Sequence, residues 1–242
     1  MRQALWGLMV AALVLSMSGV AAAADREPVV QELEAVEITD VEFGPVSPLL
    51  SCQVGNLNPA AWAISNFVLP PEDYKLAFDP MATCTSCPFA FKITKNHILL
   101  QVAAACTIVM SVDVEEVVYA GADCTTPGPV VCASPLYTVN LPAAGLYNVG
   151  IPITCDCLTM ARKYMLSVHF ESATCTPALI TDAGPAGLCL NWNNYGTGWY
   201  DLVGAFPTWP GQLTMFADAE CCTPPVPVDE RTWGAVKELY ED

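Results

Sequence analysis

The sequence predicts an all-β fold: an antiparallel, jelly-roll-like β-sandwich that is disulfide-rich and ends in a short C-terminal helix. Short segments with alternating apolar and polar residues recur along the chain, separated by Pro, Gly, Asn and Asp, as in strands joined by turns. No long segment with helical periodicity lies between them. All 12 cysteines follow residue 24, and an even number favours a disulfide framework in an oxidising compartment.

The first 24 residues have the features of a secretory signal peptide. Arg2 precedes an apolar run from Ala4 to Met17, and small residues that end at Ala24 form a cleavage site. This run is shorter than the roughly 20 residues that span a bilayer, and no later segment is a better candidate. The sequence therefore predicts a secreted protein, extracellular or periplasmic, without membrane insertion.

The chain is strongly acidic. It has 9 Lys and Arg against 25 Asp and Glu, a formal net charge of −16. Removal of Arg2 with the signal peptide changes this balance to 8 − 25 = −17. Repulsion at that charge excludes nucleic acid and anionic membrane surfaces as favoured partners.

Composition divides the rest of the chain into four segments. Residues 25–73 are predicted to be an acidic arm and an irregular N-terminal segment, and residues 74–222 the β-sandwich domain. Residues 223–228 form a proline linker, and residues 229–242 have the apolar spacing of a short amphipathic helix. Because so short a helix is marginal alone, we expect it to dock on its own sandwich or on another chain.

Two segments show the clearest strand pattern. In Cys106–Tyr119 apolar residues share one face, while Asp113 and Glu115 lie on the other. In Lys163–Glu171 the same alternation places His169 on the polar face. Further strands are predicted at Tyr74–Asp79, Phe89–Thr94, His97–Ala103, Leu136–Leu141, Leu146–Ile151, Trp199–Val203 and Gln212–Ala217.

The cysteines are predicted to form structural disulfides. Short loops favour Cys124 with Cys132 and Cys175 with Cys189, and each bridge is worth about 2–4 kcal/mol. The Cys84-Thr85-Ser86-Cys87 segment has redox or zinc spacing, but strand-like segments flank it and no second pair has good zinc spacing. Structural bridges are the better interpretation there too.

The stretch Leu188–Cys222 is the candidate binding surface. It holds three of the six tryptophans and a run of Asn and Gly. Aromatic rings beside amide side chains suit sugar rings or a protein partner, although large aromatics also fill cores. The predicted binding residues are Trp192, Asn193, Asn194, Tyr195, Trp199, Tyr200 and Trp209.

No catalytic motif is recognisable, and no catalytic residue is predicted. His169 and Glu171 share a strand face, but no nucleophile motif such as G-x-S-x-G accompanies them. A glycosidase needs only two acids beside a cleft, and the candidates are Glu115, Glu116, Asp201 and Asp218. No cofactor is predicted, although calcium is open through the loop aspartates Asp79, Asp123 and Asp182.

Several segments resemble a group of uncharacterised exported bacterial proteins with a predicted jelly-roll-like β-sandwich. The segments are ACTIVMSVDVEEV, LPAAGLYNVGIP, RKYMLSVHFES, WNNYGTGWYDLVGAFPTWPGQLTMFADAECC and TWGAVKELY, and the resemblance covers residues 74–242. It implies the fold and an extracellular location, and no activity. We therefore expect a secreted non-catalytic binding or surface-structural module for a glycan or a cell-surface protein; the alternative is a secreted carboxylate-dependent hydrolase.

Overall fold

The computed structural model describes residues 27–33, 37–44, 52–121, 124–196 and 198–222. Two β-sheets pack around one large apolar core, so the predicted all-β sandwich is confirmed. The predicted signal peptide, proline linker and C-terminal helix lie outside the described residues. Within the described ranges, no helix has the length and apolar character needed to cross a bilayer.

Sixteen strands and two short helices are described. The helices are α1 (Pro80–Thr83) and α2 (Leu202–Ala205). The strands are β1 (Val29–Glu32), β2 (Ile38–Glu42), β3 (Cys52–Gly55), β4 (Ala60–Ser65), β5 (Glu72–Phe78), β6 (Ala90–Val102), β7 (Cys106–Tyr119), β8 (Thr125–Ala133), β9 (Tyr137–Leu141), β10 (Gly145–Pro152), β11 (Leu158–Thr159), β12 (Tyr164–Ala173), β13 (Ala178–Asp182), β14 (Asn191–Asn194), β15 (Trp199–Asp201) and β16 (Met215–Cys221).

The strands form two sheets. Sheet A has the order β1-β4-β13-β6-β10-β2, and β16 and β11 also pair with β6, while β3 pairs with β16. Sheet B has the order β15-β14-β5-β12-β7-β8, and β9 also pairs with β7. The pairings are antiparallel except that of β2 with β10. The fold is therefore mostly antiparallel, as expected from short strands joined by turns.

The alternating pattern of β7 and β12 forms the inner face of sheet B. Ile108 and Val112 of β7 are fully buried against the core, as are Leu166 and Phe170 of β12. The polar residues of both strands lie on the outer face, as predicted. In sheet A, the two strands predicted around residue 95 are the single 13-residue strand β6.

Residues 27–73 contain more regular structure than the sequence indicated. Strands β1 to β4 fall within them, and β4 lies inside sheet A between β1 and β13. The segment Ala60–Ser65 gives a weak strand signal because three of its six residues are alanine, which is depleted in strands. Pairing along both edges of β4 overrides that low propensity, so the sandwich begins before residue 74.

The two predicted disulfide pairs are wrong, although all four cysteines are bridged. Cys124 pairs with Cys189, and Cys132 pairs with Cys155. The Pro/Gly segment between Cys124 and Cys132 is strand β8, not a loop, and eight residues of strand span about 25 Å. Bridged Cα atoms lie within about 7 Å, so this strand cannot be closed on itself.

Cys175 pairs with Cys106 for a related reason. The antiparallel pairing of β7 with β12 brings the start of β7 beside the end of β12. Cys189 lies further along the chain, packed with Cys124 at the outer face of sheet B. The remaining bridges are Cys52–Cys84, Cys87–Cys221 and Cys157–Cys222.

Removal of the Cys124–Cys189 bridge tests this connectivity. Replacing both residues with alanine is expected to lower the free energy of unfolding by about 2–4 kcal/mol, because the bond closes a separation of 65 residues. Urea denaturation measures the loss. A non-reducing peptide map should join Cys124 to Cys189; a peptide that joins Cys124 to Cys132 would contradict the structure.

Candidate functional site

One edge of β6 has two partner strands, and they separate from each other. From Phe91 to Ile98, β6 pairs with β16, whereas Leu100 and Gln101 pair with β13. Between these regions the Leu99 amide donates to Thr214 O at 3.2 Å. The Thr214 amide in turn donates to Ile180 O of β13 at 2.8 Å. Thr214 thus marks the point where β13 and β16 diverge.

A cavity of about 410 Å³ lies at this divergence. Its volume falls in the range of small-molecule sites. Apolar and polar side chains from β2, β3, β4, β6, β10 and β16 line it, together with the segment that joins β3 to β4. The lining residues are Ile38, Asp40, Gln53, Asn56, Leu57, Asn58, Pro59, Ala60, Leu99, Asn148, Thr214 and Phe216.

Buried hydrogen bonds fix one wall of the cavity. The Asn56 side chain is 5% exposed, and its Nδ2 donates to Asp182 Oδ2 at 3.1 Å and to Leu213 O at 3.1 Å. Asp182, 1% exposed, also accepts from Asn58 Nδ2 at 2.7 Å and from the Gln212 amide at 2.8 Å. One carboxylate therefore ties the β3–β4 segment to β13 and to the approach to β16.

Two glycines allow this close approach of backbones. Gly55 has a φ of +105°, and a Cβ there would lie 2.6 Å from Met215 O. At Gly211 a Cβ would lie 2.1 Å from Asp182 O. A side chain at Gly55 would clash with the backbone of Met215, and one at Gly211 would clash with the backbone of Asp182. Both positions therefore require glycine.

Two other lining residues, Asn148 and Thr214, have polar atoms that lack partners among the described residues. Asn148 Nδ2 donates to Asp40 Oδ1 at 3.0 Å, but Asn148 Oδ1 is buried without a partner among the described residues. The hydroxyl of Thr214, a residue 4% exposed, is also buried and has no partner within the described chain. Such unsatisfied groups cost about 1–3 kcal/mol each.

Phe216, the aromatic residue that lines the cavity, is held in place by His97. Phe216 stacks on His97 with ring centroids 4.6 Å apart and planes 4° apart. His97 Nε2 lies 3.3 Å from Asp218 Oδ2, and Gln53 Nε2 donates to Asp218 Oδ1 at 2.9 Å. Although burial opposes it, the hydrogen bonds from His97 and Gln53 lower the pKa of Asp218. The carboxylate thus stays charged and keeps His97 beneath Phe216.

The predicted aromatic surface is not a single exposed surface. Trp209 is 4% exposed and packs in the core with its ring centroid 5.3 Å from that of Phe67. Trp192 is 7% exposed and donates from Nε1 to Cys189 O at 3.2 Å. Asn193 is fully buried and donates to Asp73 O at 3.0 Å. Trp192 and Asn193 belong to β14, which pairs with β5 on one edge and with β15 on the other, whereas Trp209 follows α2 and is part of the main core.

Four of the predicted binding residues keep some exposure. Tyr195 and Tyr200 stack with centroids 4.7 Å apart, and Trp199 lies with its ring 4.0 Å from Lys75 Nζ. Asn194 Oδ1 accepts from the Gly196 amide at 2.9 Å. This group lies at the edge of sheet B, whereas the cavity is in sheet A. A binding role for these four residues stays a prediction.

Other residues singled out by the sequence serve the fold. Cys84 and Cys87 belong to separate bridges, so their interpretation as structural disulfides is confirmed. Asp79 accepts from the Met81 amide as the N-cap of α1. The oxygens of Asp182 are occupied by N–H donors, and Asp123 lies outside the described residues. The calcium hypothesis stays a prediction.

The four candidate acids of the hydrolase hypothesis each have a structural contact. Glu116 pairs with Arg162 at 2.8 Å, and Asp201 accepts from the Gly204 amide at the start of α2. Glu115 contacts Lys75, and Asp218 is held by His97 and Gln53. None of these acids lines the cavity described above.

The cavity residues were not singled out by the sequence. They come from six strands and a connecting segment, so no local motif contains them. The closest local signal is the run Gln53-Val54-Gly55-Asn56-Leu57-Asn58, in which three amide side chains surround one glycine.

A family model described as a domain of unknown function, DUF7451, matches residues 52–219. The chain belongs to this family. The matched region of the DUF7451 domain begins at β3 and includes the whole sandwich except β1, β2 and the end of β16. It starts 22 residues before the predicted boundary at residue 74, in agreement with the observed strands β3 and β4.

Two further comparisons add little to the DUF7451 assignment. No curated protein matches the chain. Among solved structures, the chain is similar to the cysteine protease and lectin-like domains of a surface-layer-associated protein of Clostridium difficile, with 12% identity and a TM-score of 0.46. The alignment covers 73% of this chain and 37% of that one, so the chain spans little more than a third of that protein structure.

Replacement of Asp182 by alanine tests the cavity wall. We expect the free energy of unfolding to fall by about 3 kcal/mol or more, because several buried donors lose a charged acceptor at once. The matched control is Asp79→Ala, which removes one exposed helix cap and should cost about 1 kcal/mol. Equal losses of unfolding free energy in the two variants, measured by urea denaturation, would show that Asp182 stabilises the protein no more than a helix cap does.

The charge of Asp218 predicts a pH dependence of stability. Its pKa is lower in the folded state than the ordinary 3.8, so its contribution is fully present above the unfolded pKa and is lost as pH falls through the folded value. The difference in unfolding free energy between the wild type and Asp218→Asn should therefore shrink below pH 3.8. A difference that stays constant across this range in urea titrations would contradict the assigned contacts.

Proposed function

We propose that this DUF7451 protein is a secreted, non-catalytic module that binds carbohydrate in the sheet A cavity. The observation that carries the proposal is the cavity itself, which combines an immobilised aromatic ring with amide side chains and buried polar atoms that lack partners. Six disulfides fit an oxidising compartment, which supports secretion.

The chemistry of the lining matches the two surfaces of a sugar. A pyranose ring presents C–H groups on its faces, which pack against Phe216, and hydroxyl groups on its rim. Those hydroxyls both donate and accept hydrogen bonds, as do the side chains of Asn58, Asn148 and Thr214. Asp40 adds a carboxylate acceptor at the rim. The cavity thus provides an aromatic ring for the faces of a sugar and polar side chains for its hydroxyl groups.

Rigidity of the wall favours specific binding. Asn56 and Asp182 are buried and hydrogen-bonded before any ligand arrives, so the adjoining wall does not have to be ordered on binding. The volume suits a small ligand better than a protein partner, since a stable protein interface buries about 1,600 Å² of largely flat surface. The four candidate acids all have structural contacts and none lines the cavity, so no observation favours the hydrolase alternative.

A glycan array probed with the mature protein, followed by calorimetry on the best ligand, tests the proposal. Thr214→Val removes one unpartnered hydroxyl at nearly constant volume, and Asn148→Ala removes an amide. Each is expected to weaken binding about tenfold or more, which corresponds to about 1.4 kcal/mol.

The matched control is Tyr200→Ala, which alters the exposed aromatic group of sheet B and should leave affinity unchanged. Loss of binding in Tyr200→Ala with full binding in the two cavity variants would place the ligand at the stretch predicted from the sequence. A protein that binds no glycan on the array would overturn the proposal.

A further inference from the structure

The outer face of sheet B buries a lysine against a glutamate. Lys75 of β5 is 3% exposed and Glu115 of β7 is 4% exposed, and Lys75 Nζ contacts Glu115 Oε1. β5 and β7 are not hydrogen-bonded to each other, because β12 lies between them. The two side chains therefore meet across the face of a third strand, where Lys75 is opposite Ser167 and Glu115 is opposite Met165.

This pair has few of the contacts that make a buried ion pair favourable. Glu115 Oε2 is buried and has no hydrogen-bond partner among the described residues. The ring of Trp199 lies 4.0 Å from Lys75 Nζ and covers it. Desolvation of two charges is costly unless their remaining donors and acceptors are satisfied. A covalent amide between the two groups would remove both charges from this buried site.

A second carboxyl group accompanies the pair. Asp113 lies on the same face of β7 and is opposite Ser167, which is opposite Lys75. Burial raises the pKa of Asp113 against the attraction of Lys75, and burial likewise raises the pKa of Glu115 despite the contact with Lys75. Both shifts favour neutral carboxyl groups, the form that an amine attacks most readily.

We propose that Lys75 and Glu115 join in an intramolecular isopeptide bond across the outer face of sheet B. Three conditions for the reaction meet here: direct contact of amine and carboxyl, burial of both, and a neighbouring carboxyl for proton transfer.

The reaction is a condensation that needs no oxidant or cofactor. A proton passes from the Lys75 ammonium to the Glu115 carboxylate, and the resulting amine attacks Cδ of Glu115. The Nζ–Cδ bond forms, and the bond from Cδ to the hydroxyl oxygen breaks. Neutral Asp113 donates its proton to the departing hydroxyl, which leaves as water, and its other oxygen takes up the proton released from Nζ. The product is one amide and one water, and Asp113 is regenerated.

The bond would join β5 to β7 on either side of β12. It lies on the sheet B face, away from the sheet A cavity, and its presence does not depend on what the cavity binds. A cross-link between strands that are not neighbours would hold β5 and β7 together across β12. It adds to the six disulfides a cross-link that reducing agents do not cleave.

Intact mass spectrometry of the reduced and alkylated mature protein tests the proposal. The mass should be lower than that calculated from the sequence by one water. After trypsin digestion, Lys75 should be uncleaved, and the peptide that contains it should be joined to the peptide 96–162 that contains Glu115. Lys75→Arg keeps the positive charge but lacks the amine, so it should have the full calculated mass.

The matched control is Lys95→Arg. Lys95 Nζ also contacts a carboxylate, that of Glu42, but this side chain is 34% exposed, so the carboxylate keeps contact with solvent. The missing water should persist in Lys95→Arg. Glu115→Gln should cross-link with loss of ammonia and yield the same final mass as the cross-linked wild type.

Asp113→Asn should lower the fraction of cross-linked protein. Wild-type protein at full mass, with normal tryptic cleavage after Lys75, would show a simple ion pair and overturn the proposal. A missing water that persists in Lys75→Arg would place the bond elsewhere and overturn it as well. The wild-type peptide map decides the question even if a variant does not fold.

Discussion

The buried hydrogen bond between Asn56 and Asp182 holds the part of sheet A on which the candidate site depends. At Thr214 the chain stops pairing with β13 and begins to pair with β6, and a sheet that divides in this way leaves backbone groups to be satisfied. The side chains of Asn56 and Asp182 satisfy them from both sides of the division. The cavity is the space that this division leaves, and its wall is rigid because the bonds are buried.

The outer faces of the two sheets differ in the residues that they present. The outer face of sheet A has the cavity, with amides and Phe216 around it. The outer face of sheet B has the Lys75–Glu115 contact beneath Trp199 and no part of that cavity. One face is thus suited to a ligand and the other to strengthening the scaffold, and neither use requires the other.

Sequence periodicity predicted the sandwich because β7 and β12 each have one face in the core and one face outside. It failed where the composition of a strand is typical of a loop, and where the burial of a residue depends on which strands are paired. The Pro/Gly segment of β8 was interpreted as a loop, which led to the wrong partner for Cys124. Trp192 and Trp209 were predicted as binding residues, with core packing as the alternative, and both are buried. Burial depends on strand order, which local patterns do not encode. The Asn56–Asp182 contact, 126 residues apart, left no local signal at all.

The most direct test of the central claim is to locate a bound glycan on the protein by NMR. Titration of isotope-labelled mature protein with an oligosaccharide ligand should shift the side-chain amide signals of Asn58 and Asn148 and the ring signals of Phe216. The indole signal of Trp199 should stay unchanged, because that ring lies on the other sheet. Shifts confined to Trp199, Tyr195 and Tyr200, with silent cavity amides, would contradict the account.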